Sequence, residues 1–263
     1  MSANGLRRAV HAEWTKLRTE TGHAWLLLGL VAVTASVSAA VVATTRCPAR
    51  GCGTDPVRLS LTGVTLGQAI AAVLAVQVIG HEYGTGLIHT TLAAVPRRTT
   101  VLTAKAAVLS GAVCTAGTLA VLASALAGRR LLPDNGFTPA HGYAALSLAD
   151  GPTLRAVAGS AIYLVLVALL ALGVAAAVRD AAAAMGVVLG LLYLFPLLSH
   201  LVTDPQLRRH LAQIGPMPAG LAVQATTDLR HLPIGPWAGL GVLALWAAGA
   251  LLIGGTVLRL RDA

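Results

Sequence analysis

Charge is what this 263-residue chain has least of, since Asp, Glu, Lys and Arg together make up 11% of it. They are missing altogether from six stretches, 24–45, 59–80, 106–128, 156–178, 181–203 and 237–258. Soluble domains carry roughly twice that share of charge, so a water-soluble fold is excluded. Aromatic residues are also scarce, at 4%. The formal net charge of +9 sits at run ends and in loops with no aromatic interleaving, which removes nucleic acid as a partner. Anionic lipid headgroups are the expected counter-charge. No G-x-x-x-x-G-K-[ST] phosphate loop and no G-x-S-x-G elbow occurs. His81 and Glu82 begin an H-E-x-x-H match that fails, because Thr85 stands where the second His is required. An enzyme is therefore not expected, nor a cofactor or catalytic metal held by this chain. All ten acids lie outside the six runs, and carriers driven by ion gradients keep titratable groups inside the membrane. That absence speaks against a secondary transporter.

What is present is apolar length. A helix of about 20 residues rising ~1.5 Å each crosses the ~30 Å hydrocarbon core. Lipid supplies no hydrogen-bond partner to the backbone, so only helices and closed barrels span it. Unbroken rather than alternating apolarity selects helices. The expected fold is all-α, a polytopic membrane protein with six transmembrane helices forming one domain over residues 1–263. An even number of spans places both termini on one side, but the nineteen bases divide almost evenly between the two sides, so the positive-inside rule favours cytoplasmic termini only slightly.

Ahead of the first run, Leu6, Val10, Trp14 and Leu17 share one face of a helix over about residues 5–19, while Arg7, Arg8, His11 and Arg18 point elsewhere. An amphipathic helix lying on the membrane is the expectation. Glu13 falls inside the apolar arc, where it either finds a partner or, if the helix frays, faces water. Residues 81–105 read as the longest loop on the terminal side, with Leu87, Thr91, Leu92 and Val95 at helical spacing and Pro96 as a stop. Arg179 and Asp180 alone separate the fourth and fifth runs, forcing a tight hairpin. Cys47 and Cys52 flank the first loop and either form a local disulfide or remain thiols. Two thiols without a nearby His leave zinc under-coordinated. Cys114, within the third run, reads as a small packing residue.

Polar groups inside the runs are few. Gln68 and Gln77 stand nine residues apart, on opposite faces of one helix, and interhelical hydrogen bonding is the default for each. His200 is the one ionisable side chain in a run and reads as a packing residue. Gly186 and Gly190 form a G-x-x-x-G, expected to pack within the subunit.

Three stretches carry a resemblance. HAEWTKLRT, at 11–19, is similar to the elbow helix of the membrane subunits of bacterial type-2 ABC exporters, where an acid and a K-L pair precede the first span. In this chain those residues are Glu13, Trp14, Lys16 and Leu17. Residues 82–105 resemble the E-Y-x-x-G-x-I-x-x-T-L…P-x-R…K pattern of the same permeases through Glu82, Tyr83, Gly86, Ile88, Thr91, Leu92, Pro96, Arg98 and Lys105, with Leu87 replacing a common Thr. The tail from Pro236 is like their final span and basic end. The resemblance implies an interfacial elbow helix and a short cytoplasmic coupling helix over about 84–95 that docks on a separate ATPase. It also implies a second permease copy, homodimer or paralogue, in the cell membrane with cytoplasmic termini. ATP and Mg would be bound by the ATPase. The family's export path runs beside its second and fifth spans, which makes Gln68, Gln77, Phe195 and His200 the candidates here. A membrane scaffold or immunity protein without transport activity, and a membrane-embedded enzyme, are the alternative classes.

Overall fold

The computed structural model describes residues 3–47, 52–84, 98–144 and 146–260, and among them there is no strand. Helix α1 (Ala3–Thr19) leads into α2 (Thr21–Thr44), followed by the short α3 (Pro56–Ser60) and by α4 (Val64–Gly84). Then come α5 (Arg98–Leu131), α6 (Gly151–Val178) and α7 (Ala181–Leu201). Two short helices, α8 (Pro205–Ile214) and α9 (Pro216–Leu221), precede α10 (Pro236–Leu260). Six of these, α2, α4, α5, α6, α7 and α10, are long and apolar enough to cross a membrane. The architecture is that of a multi-pass helical membrane protein.

Helix boundaries depart from the apolar runs where packing overrides composition. The second span does not start at Leu59: α3 ends at Ser60, a turn follows, and α4 starts at Val64. The break lies where Gly63 sits on the backbone of α2, a Cβ there falling 2.0 Å from the Thr34 carbonyl oxygen. Residues 81–84 and 98–105, read as loop, belong to α4 and α5. Lys105 therefore lies two turns inside a helix. Helix α8 stops at Ile214, and Pro216 opens α9, where its missing N–H costs nothing.

Helix α6 is the axis of the bundle, with 61% of its most apolar window buried, against 17% for α7 and 22% for α2. Between lipid-facing helices, close packing and interhelical hydrogen bonds replace the hydrophobic effect as the source of association. A close crossing joins α6 and α10, where a Cβ on Gly173 would lie 2.4 Å from the Ala250 carbonyl carbon and one on Gly254 would lie 2.6 Å from the Gly173 oxygen. The predicted Gly186–Gly190 seam is not used this way, because a Cβ on either would meet nothing within 4 Å. Cys114 is likewise exposed on the outer face of α5 rather than packed. Inside the bundle the Tyr163 hydroxyl donates to Gln68 Oε1, and Gln68 Nε2 donates to Met217 Sδ at 3.1 Å.

The two ends are built differently. At the end remote from α1, Cys47 and Cys52 form a disulfide, and the Asp55 carboxylate accepts from the backbone of Val57, Arg58, Thr226 and Thr227 and from the Thr226 hydroxyl. One carboxylate thus caps α3 and holds the segment before α10, 171 residues away. Nearby, Gly136 has φ +91° and sits where a Cβ would lie 2.1 Å from the Cys47 oxygen, a conformation and a contact that both require glycine.

Two glycine substitutions separate crowded from open helix faces. Gly173→Ala should lower stability by roughly 1–3 kcal/mol through overpacking, whereas Gly186→Ala should stay within about 0.5 kcal/mol of the parent. Thermal unfolding in one detergent measures both.

Candidate functional site

The α1 end holds a buried cluster of charge. Helix α1 buries Ala9, Glu13 and Leu17, a stripe at four-residue spacing, while Trp14 is half exposed. Leu17 packs with Val108 and Ala112 of α5, and Val10 joins them with Val78 of α4. The apolar arc expected of α1 is therefore rotated, with Glu13 at its centre and Trp14 at its edge.

Glu13 meets two lysines. Lys105, 1% exposed, donates to Glu13 Oε2 at 2.7 Å, to Glu82 Oε1 at 2.8 Å and to the Val78 carbonyl oxygen at 3.2 Å. An ammonium has three N–H donors, and all three are used. Lys16 donates to Glu13 Oε1 at 3.0 Å and to Glu82 Oε1 at 2.6 Å. Two carboxylates and two ammoniums thus share one neutral cluster that fastens α1 to α4 and α5. Burial pulls the Lys16 amine downward, but the hydrogen bond to Glu82 and the charge of Glu13 outweigh it, so the group stands above its ordinary 10.5. Its contribution is present below that value and is lost only as pH rises through the higher folded one. The cluster encloses a cavity of about 20 Å³, enough for a single water and too small for a substrate.

Beside it, Glu20 Oε2 lies 3.1 Å from Nδ1 of the buried His23 and Glu20 Oε1 lies 3.9 Å from Nδ1 of His81. A second tie crosses the same end. Arg179, the left-handed C-cap of α6 at φ 63°, donates to the Val257 oxygen of α10 at 3.2 Å and lies 5.7 Å from the ring centroid of Tyr83. Asp180 caps α7 through the Ala183 N–H. The terminus of α4 thereby touches α1, α5, the α6–α7 turn and, through Arg179, α10.

Of the residues expected to dock a partner, Glu82 and Tyr83 take part in these ties. Gly86, Leu87, Ile88, Thr91, Leu92 and Pro96 lie outside the described residues, and Arg98 is described only as the first residue of α5. The residues proposed for a path are not brought together. Gln68 is buried against Tyr163, whereas Gln77 is exposed near His81. Phe195 stacks edge-on against Trp246, with ring centroids 6.5 Å apart. His200 is exposed at the end of α7, not packed as expected.

Glu82 and Lys105 correct one statement made from the sequence, since both are buried ionisable groups within span helices. Their signal was available in the composition, which has two lysines against seventeen arginines. Both lysines are here. A compact ammonium fits between two carboxylates where a planar guanidinium fork does not.

No protein-family model matches the chain, and neither does any curated protein.

Removing Lys105 leaves two buried carboxylates sharing a single partner, at a cost of roughly 3–5 kcal/mol. Lys105→Met should therefore unfold well below the parent temperature, and it should reduce disulfide formation between cysteines placed at Leu17 and Val108. Lys105→Arg should behave more like Met than like Lys. Between pH 6 and 9 the gap in unfolding temperature between the parent and Lys105→Met should stay flat, because Lys16 stands above 10.5.

Proposed function

We propose that the chain is the membrane-spanning permease subunit of a bacterial type-2 ABC exporter. In this reading α1 is the elbow helix at the cytoplasmic interface, and residues 84 to 95 dock on a separate ATPase that binds ATP and Mg. Two permeases and two ATPases form the working unit in the cell membrane. The observation that carries it is the anchoring of both flanks of that segment. Before it stands Glu82, after it Lys105, and the two are bonded to each other and to the amphipathic α1.

The mechanical consequence follows from geometry. A closing motion of the ATPases would push on a segment hung between α4 and α5. Because Lys105 locks those helices to α1, the three ends would tilt as one body, and Arg179 would carry the displacement to α6, α7 and α10. Rigid-body rocking of packed helices needs no mobile charge at mid-membrane depth. The disulfide end faces out in this orientation, into a compartment where disulfides persist.

Co-expression with candidate ATPases tests the proposal. The tagged chain should capture a nucleotide-binding subunit bearing a phosphate loop, and Leu92→Asp should abolish capture by placing an unpaired charge in the contact. Glu82→Gln should retain capture while uncoupling ATP hydrolysis from transport. Transport by the purified chain down an ion gradient, with no ATPase present, would overturn the reading.

A further inference from the structure

An apolar cavity lies between α6, α7 and α10, and no role assigned above uses it. Helices α7 and α10 splay apart over α6, leaving a groove of about 660 Å³ open to the side, within the ~300–1,000 Å³ of small-molecule sites. Leu170 and Val174 form its floor, Val187 and Leu191 one wall, Trp246 and Ile253 the other. Gly249 also lines it, and a Cβ there would meet nothing within 4 Å. The space is therefore free of the protein's own side chains.

One end of the groove is closed. Trp246 Nε1 donates to the Ile214 oxygen at 2.9 Å, and a Cβ on Gly215 would lie 2.8 Å from that of Phe195. Phe195 is six residues before the end of α7, about 9 Å below it at helical rise. Helix α8 starts just beyond α7 and finishes beside Phe195, so its middle lies between the α7 terminus and that depth. The 21 residues of α7 rise about 31 Å, close to the ~30 Å hydrocarbon thickness, so this is the edge of the hydrocarbon, from which a long basic side chain reaches up to the phosphates. Gln213 and Ile214 line the groove, and one helical turn earlier on the same face stand Arg209 and His210, both exposed. Arg208 is adjacent, and α8 contains no acid; Asp204, its cap, is committed to the Gln206 N–H.

From this placement we infer that the groove holds one acyl chain of an anionic glycerophospholipid, with its phosphate at Arg209 and His210. Bilayer phospholipid is the committed occupant because it alone matches both halves of the site, a long hydrocarbon slot at membrane depth and a cationic mouth within reach of the headgroups. A second copy of this chain would fit the slot but not the charge, since it would have to leave α8 unneutralised. The inference rests on the membrane architecture and stands or falls apart from the permease reading.

Tryptophan fluorescence reads the site directly, because Trp246 is one of four tryptophans. A variant carrying Trp14→Phe, Trp25→Phe and Trp237→Phe keeps Trp246 alone and is reconstituted in phosphatidylcholine vesicles. Brominated phosphatidylglycerol should half-quench Trp246 at a mole fraction about fivefold below that needed with brominated phosphatidylcholine, the preference one near-surface base confers. A companion protein retaining only Trp25, which is 73% exposed on α2, should show no such preference. Arg209→Gln combined with His210→Gln should bring the two lipids to parity while quenching persists. Gly249→Leu, which fills the slot without a clash, should abolish the preference for the anionic lipid. Two results overturn the inference. One is quenching that tracks bulk mole fraction equally for both headgroups. The other is Trp246 shielded from both lipids in proportion to protein density, which would assign the groove to a second copy.

Discussion

Three acceptors around one ammonium hold the α1 end of this protein together. Lys105 cannot be hydrated where it sits, so its charge is tolerable only while Glu13, Glu82 and the Val78 carbonyl all remain in place. That requirement fixes α1 against the bundle, sets the angle between the ends of α4 and α5, and draws Lys16 in to balance the second carboxylate. Glu82 Oε2 is buried with no hydrogen-bond partner among the described residues, directly before the segment proposed to dock. Burial makes the pairs strong and also unforgiving. Loss of one member strands the others, a cost that an exposed ion pair never carries.

The far end uses hydrogen bonds between single charged side chains and the backbone, together with covalent closure. Backbone amides converge on Asp55, the disulfide closes the first loop, and Arg155 donates to the Ala225 oxygen at 2.5 Å. Such contacts have one satisfied arrangement. The α1 end, by contrast, is tied by paired charge, with Glu82 Oε1 shared between two lysines.

The six spans were legible in the sequence because lipid makes apolarity nearly sufficient for a helix. Their ends were less so. The third run was closed at Lys105 since a bare lysine is costly in hydrocarbon, yet the helix runs back to Arg98 because the charge is neutralised by residues 92 and 23 positions away. Nothing local announces such a partner. Glu13 was marked as misplaced in an apolar arc, which identified one of the cluster's four members, and the acid and lysines of the pattern were noted without the contact that unites them. Glycine patterns misled for a related reason. Gly186 and Gly190 have the spacing of a packing motif but face open space, while Gly173 and Gly254, far apart in the chain, form the real crossing. Spacing along one helix cannot say which face meets another. The arrangement of α8 and α9 beside Trp246 depends wholly on long-range contacts and left no trace in composition.

The order in which these partners leave the ribosome gives the charge cluster a further meaning. Glu13, Lys16, Glu82 and Lys105 all belong to the first 105 residues, so every charge buried at that end has its counter-charge before α6 is made. Other long-range polar contacts come later: Gln68 waits for Tyr163 and then Met217, and Asp55, already capping α3, waits for Thr226. A partly synthesised chain therefore has waiting amides and a carboxylate at its far end, but no stranded ammonium at the near one. The groups most expensive to leave alone in lipid are those whose partners arrive first.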